Sequence, residues 1–197
     1  MVRDPEQKAR PGRPARLGAV LAPGYGGTAE QPIVRAMAAR LIAHGLEARA
    51  ISYSRARPGK DLDAELDDVR RARDALLANG VPRVALVGRS FGGRVCTRLA
   101  AMEPPAALAV LGHPISPRGR PRPDDEAALA AVRCPTLIVQ GEHDALGPLD
   151  VLQRIAAANP AIELYVLKGV GHQFGPRQAD GLEYAAAWLA QTLGQLD

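Results

Sequence analysis

Short apolar runs alternate with amphipathic segments along most of the chain. Six runs have the length and the content of valine, isoleucine and leucine that are typical of β-strands. They cover residues 17–22, 47–53, 83–88, 107–112, 136–141 and 162–167. Several are apolar throughout instead of alternating with polar residues, which indicates strands that are covered on both faces.

The segments between these runs have helical periodicity. In the first, Ile33, Met37 and Leu41 recur on one helix face, and Pro32 favours a helix start. Similar patterns follow the second, fifth and sixth runs, and only a short helix around Glu126–Val132 fits between the fourth and fifth. This alternation predicts a minimal α/β fold of about six parallel strands, with helices on both faces and no lid domain.

Length and charge divide the chain into a tail and one domain. The 197 residues suffice for a single well-packed domain, which we assign to residues 17–197. Residues 1–16 carry five Lys or Arg and two Asp or Glu, interrupted by proline and glycine. We expect this basic tail to be mobile, because it has little apolar surface to bury. Aromatic residues do not interleave its arginines, so no nucleic-acid partner is expected.

The composition favours a cytoplasmic protein that uses no cofactor. The N-terminus lacks the apolar segment of a secretory signal, and we find no stretch long and apolar enough to span a membrane. Cys96 and Cys134 do not have metal-ligand spacing, and a reduced, buried pair of thiols is the expected state. The sequence therefore predicts no metal and no cofactor, and it leaves monomer and homodimer open.

The segment "GRSFGG" follows the third predicted strand and precedes a helical pattern. Such a turn occurs in phosphate-binding loops and in ordinary tight connections, but Gly88, Ser90 and Gly92 also fit the G-x-S-x-G nucleophile elbow. In open parallel sheets, functional groups collect beyond the carboxyl ends of the strands. Ser90 is therefore the candidate nucleophile.

A serine nucleophile needs a base, and the chain has four histidines. His44 is expected at a helix end in solvent, His113 in a structural role, and His143 in a loop. His172 follows the sixth predicted strand between glycines, where its ring can reach the edge of the sheet. We therefore select His172 as the base for Ser90.

The base needs a carboxylate that orients it. Asp144, which follows the fifth predicted strand, is the selected acid, with Glu142 as the nearest competitor and Asp180 as a distant one. The resulting chain order of nucleophile, acid and base is Ser90, Asp144, His172. This is the order that α/β-hydrolases use.

The loop "APGYGG" after the first predicted strand is the candidate partner of the elbow in an oxyanion hole. The backbone N–H of Phe91 is the expected first donor and that of Tyr25 the second. The glycines of this loop do not match G-x-G-x-x-G, and no Gly-Lys-Ser/Thr follows, so dinucleotide-binding and Walker A interpretations are disfavoured.

With these residues in place, the chain resembles the α/β-hydrolase superfamily over roughly residues 17–195. "LVGRSFGGRV", "GHPISPRGRP" and "CPTLIVQGEHDALG" resemble small bacterial predicted hydrolases akin to the dienelactone hydrolases. The resemblance implies that the second strand lies outside the first and the third on the other side of the first. Dienelactone hydrolases use a cysteine nucleophile, so their substrate is not transferred to this chain.

The resulting hypothesis is a serine esterase or acyl hydrolase that acts on a small-molecule acyl substrate. A catalytically silent scaffold or binding module is the alternative from another class, and acyl transfer to an acceptor other than water would use the same residues.

The proline-rich loop 113–125 bears on the choice of substrate. Arg118, Arg120 and Arg122 are followed by three acids at 124–126, so local cancellation of charge is expected and a solvated loop is favoured over an anion clamp. Arg89 lies inside the elbow, and its positive charge leaves open the alternative of an acidic substrate.

Overall fold

A computed structural model describes residues 16–55, 57–59 and 61–195. These residues form a six-stranded sheet in which all neighbouring strands are parallel. The strands are β1 (Leu17–Ala22), β2 (Glu47–Ala50), β3 (Arg83–Arg89), β4 (Ala107–Leu111), β5 (Thr136–Gly141) and β6 (Ile162–Leu167). The sequence-based prediction of six parallel strands is thereby confirmed.

The strand order is β2-β1-β3-β4-β5-β6, as the resemblance implied. The direction in which the chain adds strands reverses between β1 and β3, and such a reversal opens a crevice at the carboxyl ends of the two strands. In the register of this pair, Ala22 lies opposite Gly88. The loop after β1 therefore begins beside the turn after β3.

Helices connect successive strands and cover both faces of the sheet. They are α1 (Pro32–Ala43), α2 (Asp63–Ala78), α3 (Phe91–Met102), α4 (Pro123–Ala130), α5 (Leu149–Ala158) and α6 (Gln178–Gln195), with a short 3₁₀ helix at Gly175–Arg177. Pro32 and Pro123 stand in the first turns of their helices, where the missing N–H of proline costs no hydrogen bond.

The core consists of two apolar layers, one on each side of the sheet. In β3, Ala85 and Val87 face the layer formed with α1 and α6, whereas Val84 and Leu86 face the layer formed mainly with α2, α3 and α5. All four side chains are nearly inaccessible to solvent. The uninterrupted apolar run in the sequence thus reflects burial of both faces of a central strand.

Several predicted elements have different bounds in the structure; the third strand is one residue longer than predicted and the fourth one residue shorter. The second strand ends at Ala50 and not at residue 53; after it, the N–H of Ile51 still donates a hydrogen bond to the carbonyl oxygen of Leu21 at 3.0 Å. The helix expected around Glu126–Val132 runs instead from Pro123 to Ala130, because proline favours the first helical turn.

The two ends of the chain are described only in part. Of the predicted basic tail at residues 1–16, residues 1–15 lie outside the described residues. Arg16 donates hydrogen bonds to the backbone carbonyl of Asn79 at 2.7 Å and to Glu47. Among the described helices, none combines the length and hydrophobicity that a membrane span requires.

Candidate active site

Ser90 occupies a strained turn between β3 and α3. Its φ is 51° and its ψ is −112°, a conformation that residues with a side chain rarely adopt. A Cβ atom at Gly88 would lie 2.4 Å from the carbonyl oxygen of Gly92, and one at Gly92 would lie 2.3 Å from the carbonyl oxygen of Ala22. Glycine is therefore required at both positions, and close packing of β1, β3 and α3 holds the serine in this turn.

Ser90, His172 and Asp144 form a continuous chain of hydrogen bonds. The Oγ atom of Ser90 is 2.8 Å from Nε2 of His172, and Nδ1 of His172 is 2.7 Å from Oδ2 of Asp144. The three residues follow β3, β6 and β5, whose carboxyl ends share one edge of the sheet. The side chain of Asp144 is inaccessible to solvent, and that of His172 is 15% exposed. The arrangement can pass a proton from the serine to the imidazole and stabilise the resulting positive charge.

Gln140, at the end of β5, fixes the carboxylate of Asp144. Its Nε2 donates hydrogen bonds to Oδ2 of Asp144 at 2.9 Å and to the carbonyl oxygen of Gly147 at 2.8 Å, and its Oε1 accepts one from the backbone N–H of His113 at 2.7 Å. The backbone N–H of Leu146 donates to Oδ1 of Asp144 at 2.9 Å. Sequence analysis missed Gln140, because a glutamine within an apolar strand has no motif of its own.

The competing acids lie in other environments. Glu142 accepts a hydrogen bond from the backbone N–H of Gly169 at 2.8 Å, and Asp180 pairs with Arg177 at 2.7 Å. Neither carboxylate is hydrogen-bonded to His172. Of the three candidate acids, only Asp144 is in contact with the selected base.

The remaining histidines are also away from Ser90. His44 contacts Glu183 at 2.7 Å at the end of α1, and His143 is exposed beside Glu142. His113 is fully buried, where its Nε2 is 3.3 Å from Oγ1 of Thr97. Burial lowers the pKa of His113 to about 4, so this ring is neutral near pH 7.

Arg89 is buried directly before the serine. Its Nη1 donates a hydrogen bond to the carbonyl oxygen of Leu111 at 2.9 Å, and its Nη2 donates to the carbonyl oxygen of His172 at 2.8 Å and to Oε1 of Gln173 at 3.1 Å. The guanidinium lies over the ring of Phe174, 5.4 Å from the centroid. Burial lowers the pKa of Arg89 to about 10, while the charge of Asp144 opposes that shift.

The predicted oxyanion donors come from the elbow itself and from the loop after β1. Phe91 is the first residue of α3, a position whose N–H has no acceptor within the helix. In the loop after β1, the N–H of Gly24 donates to Oε1 of Gln31 and that of Gly27 to the carbonyl oxygen of Gly24. Among hydrogen bonds of the described residues, none uses the N–H of Tyr25 or Phe91. The Tyr25 and Phe91 rings meet edge to face, with centroids 5.9 Å apart.

Ser90 lines an open cleft of about 550 Å³. Its apolar walls include Leu62, Pro114 and Leu146. The segment between β4 and β5 contains the loop and the short helix α4, which packs against α3. No separate lid covers the serine within the part of the chain that the structure describes.

Comparison with known proteins agrees with this architecture. A family model described as "Alpha/beta hydrolase domain" matches residues 15–193. An uncharacterised protein of Mycobacterium tuberculosis is 31% identical over 134 residues, which cover 57% of this chain and 47% of that protein. The chain thus spans about half the length of the curated relative that it matches.

Two solved structures share the fold at low sequence identity. An α/β serine hydrolase homologue from Coxiella burnetii superposes with a TM-score of 0.71 at 22% identity, covering 89% of this chain and 84% of the other. An α/β serine hydrolase without a lid from Xanthomonas campestris gives a TM-score of 0.72 at 22% identity, with coverage of 95% and 85%. At this level of identity the likeness concerns the fold, which supports the minimal, lid-less architecture predicted from the sequence.

Proposed function

The chain belongs to the alpha/beta hydrolase domain family, and from this premise we propose that it is a serine hydrolase that cleaves a small carboxylic ester or a related acyl compound. The observation that carries the proposal is the 2.8 Å contact between Oγ of Ser90 and Nε2 of His172. A serine hydroxyl is a weak nucleophile without a base at hydrogen-bond distance, and this contact supplies one.

In the first half of the reaction, Ser90 is acylated. Its Oγ attacks the carbonyl carbon of the substrate while Nε2 of His172 accepts the hydroxyl proton. Asp144 holds Nδ1 of His172 protonated and stabilises the imidazolium. The tetrahedral intermediate then collapses: the bond to the alcohol oxygen breaks, the imidazolium gives its proton to that oxygen, and the alcohol leaves an acyl-serine behind.

In the second half, water releases the acyl group. Neutral His172 accepts a proton from a water molecule, whose oxygen attacks the acyl carbon of the acyl-serine. A second tetrahedral intermediate collapses, the bond to Oγ breaks, and the imidazolium returns its proton to Ser90. The products are the carboxylic acid and the free enzyme. An acceptor other than water would give acyl transfer through the same steps.

The negative charge on the carbonyl oxygen needs donors that are already in place. We assign this role to the N–H groups of Phe91 and Tyr25, which belong to the turn after β3 and the loop after β1, the two strands that border the crevice. The absence of a described intramolecular acceptor for either N–H supports the assignment. Removing one donor of this kind from a hydrolase costs about 10²- to 10³-fold in kcat.

Labelling with a fluorophosphonate probe tests the proposal. The probe reacts with activated serines, so intact-mass measurement should show a single adduct, and peptide mapping should locate it at Ser90. Ser90→Ala is the matched control and should remain unlabelled. A label at Ser52, Ser54 or Ser116 would contradict the assignment of the nucleophile, and a folded but unlabelled protein would favour the scaffold alternative.

A further inference from the structure

We propose that the cleft selects acyl substrates carrying a carboxylate or phosphate group, bound by Arg120 and Arg122; this inference rests on the hydrolase function proposed above. Three arginines, Arg94, Arg120 and Arg122, line the same cleft as Ser90. Among the lining residues that the structure describes, none is acidic. The nucleophile therefore stands in a positively charged recess.

The local cancellation of charge expected from the sequence is only partial, because the acids form their ion pairs with arginines outside the loop. The three acids at 124–126 belong to α4 and pair with arginines of neighbouring helices. Asp125 is buried and accepts hydrogen bonds from Arg94 at 2.5 Å and from Arg98 at 2.7 Å. Glu126 pairs with Arg154 of α5 at 2.7 Å. The helical geometry turns these carboxylates toward α3 and α5, and none of them forms an ion pair with a described arginine of the loop.

The positive charge of the loop arginines is compensated only in part. Among the ion pairs of the described residues, none involves Arg118, Arg120 or Arg122. Arg94 differs, because its charge is already paired with that of Asp125. Arg120 and Arg122 are thus the lining residues with charge available for an anion.

Arg122 is held in a fixed position. Its Nη1 donates a hydrogen bond to the carbonyl oxygen of Pro114 at 2.6 Å, and Pro114 itself lines the cleft. Partial burial of the side chain, together with the guanidinium groups of Arg94 and Arg120, lowers the pKa of Arg122, while the charge of Asp125 opposes that shift. These guanidinium groups repel one another, and an anion bound between them relieves the repulsion.

Arg120 is exposed and Arg122 is partly buried, so the surroundings strengthen the attraction mainly at Arg122. Leu62, Pro114 and Leu146 form apolar walls around the recess. Field lines are focused in a cleft with walls of low dielectric, which raises the local concentration of an oppositely charged substrate. Guanidinium groups also donate paired hydrogen bonds to carboxylate and phosphate oxygens.

Arg89, in contrast, does not take part in this recess. It is not among the residues that line the cleft, and its donors are engaged by Leu111, His172 and Gln173. The sequence left open that Arg89 binds an acidic substrate. We therefore assign the binding of the acidic group to the arginines of the loop instead.

Matched pairs of esters test the inference. The first pair compares the mono-p-nitrophenyl ester of glutaric acid with p-nitrophenyl pentanoate, which has the same acyl length without the charge. The second compares 4-acetoxybenzoate with its methyl ester and places the charge on the alcohol side. In at least one pair, kcat/KM should be higher for the anionic ester, and the ratio should fall as NaCl is added. Inhibition of pentanoate hydrolysis by glutarate or by inorganic phosphate then distinguishes the two anions.

Variants separate the loop arginines from general effects of charge. Arg120→Gln and Arg122→Gln should each lower the ratio of anionic to neutral kcat/KM by about tenfold, which is the usual effect of losing one charge-assisted hydrogen bond. Arg118→Gln is the matched control, because Arg118 is exposed on the same loop but does not line the cleft, and its ratio should equal that of the parent protein.

The outcomes distinguish this inference from the hydrolase proposal. Equal ratios in all three variants, or a preference for the neutral ester in both pairs, would overturn anion selection. Continued ester turnover and labelling of Ser90 would then leave the hydrolase function standing. Absence of turnover of all four esters together with absence of labelling would remove the hydrolase function and this inference with it.

Discussion

The Nη2 atom of Arg89 donates a hydrogen bond to the backbone carbonyl oxygen of His172 at 2.8 Å. The residue next to the nucleophile is thereby tied to the backbone of the base. Because the same guanidinium also binds the carbonyl oxygen of Leu111 at the end of β4, it joins the loops that follow three strands. We therefore infer that Arg89 is a positioning residue, which holds the imidazole of His172 in place relative to Ser90.

Replacing Arg89 tests this role. Arg89→Met leaves buried carbonyl groups without donors and releases the loop of His172, so kcat should fall by about 10- to 100-fold with a smaller change in KM. Arg89→Lys keeps the charge and should restore part of kcat. Arg83→Met is the matched control, because Arg83 also lies on β3 and donates to a backbone carbonyl, that of Leu193, far from the cleft. Steady-state kinetics on a p-nitrophenyl ester measure these effects, and an equal loss in the Arg83 variant would contradict a positioning role.

The second prediction concerns the acid that orients His172. Asp144→Asn should lower kcat by about 10⁴-fold, because the amide favours the wrong tautomer of the imidazole. Glu142→Gln should change kcat far less, since Glu142 binds the N–H of Gly169 and not His172. Turnover of p-nitrophenyl acetate by the two variants measures the difference. A larger loss in Glu142→Gln than in Asp144→Asn would identify Glu142 as the acid.

The third prediction concerns the length of the acyl chain. A lipase-like site gains about 0.8 kcal/mol for each methylene that it buries. The cleft of this protein has a volume of about 550 Å³ and is lined partly by arginines, so little apolar wall extends beyond the first few carbons. Among neutral p-nitrophenyl esters, kcat/KM should peak between acetate and butyrate, without activation at a lipid interface. A rise that continues through octanoate would contradict this prediction.

The fourth prediction concerns stability against pH and depends on His113. Its pKa is lowered to about 4 by burial, whereas an unfolded histidine has a pKa of about 6.5. Between these values the unfolded state binds more protons, so the stabilising contribution is complete above about pH 6.5 and is lost as the pH falls toward 4. The charges of Asp125 and Asp144 oppose the shift, and those of Arg94 and Arg122 reinforce it.

Denaturant unfolding at a series of pH values measures this contribution. The free energy of unfolding of the parent protein should decrease by about 3 kcal/mol more than that of His113→Gln between pH 6.5 and pH 4. His143→Gln serves as the control, because His143 is exposed, and it should follow the parent protein. The same pH dependence in His113→Gln and in the parent protein would exclude His113 as the source.

Much of the fold is predictable from the sequence because its signals are local. The six apolar runs correspond to six strands, and the glycines around Ser90 by themselves indicate a turn between a strand and a helix. Strand bounds at 17–22, 136–141 and 162–167 agree with the structure to the residue.

The contacts that support the candidate site are not predictable in the same way. Arg89 and Gln140 act through partners far along the chain, such as the carbonyl oxygen of His172 and the backbone N–H of His113. The charge balance around Arg122 also differs in part from the expectation, since Asp125 and Glu126, which are close to it in sequence, form ion pairs with Arg98 and Arg154 instead. The direction in which α4 presents its carboxylates depends on how it packs against α3 and α5. The spacing of residues along the sequence does not contain that information.

The positive φ of Ser90 bears on whether the chain retains an enzymatic role. A residue with a side chain in such a region costs on the order of 1–3 kcal/mol, whereas glycine adopts it with little strain. If the protein served only as a scaffold, Ser90→Gly would relieve the backbone strain and remove no required function. Nothing would then select against glycine at this position. A serine at this position therefore lowers the free energy of unfolding relative to glycine. A catalytic role for its hydroxyl group, as proposed above, explains why serine is present despite this destabilisation.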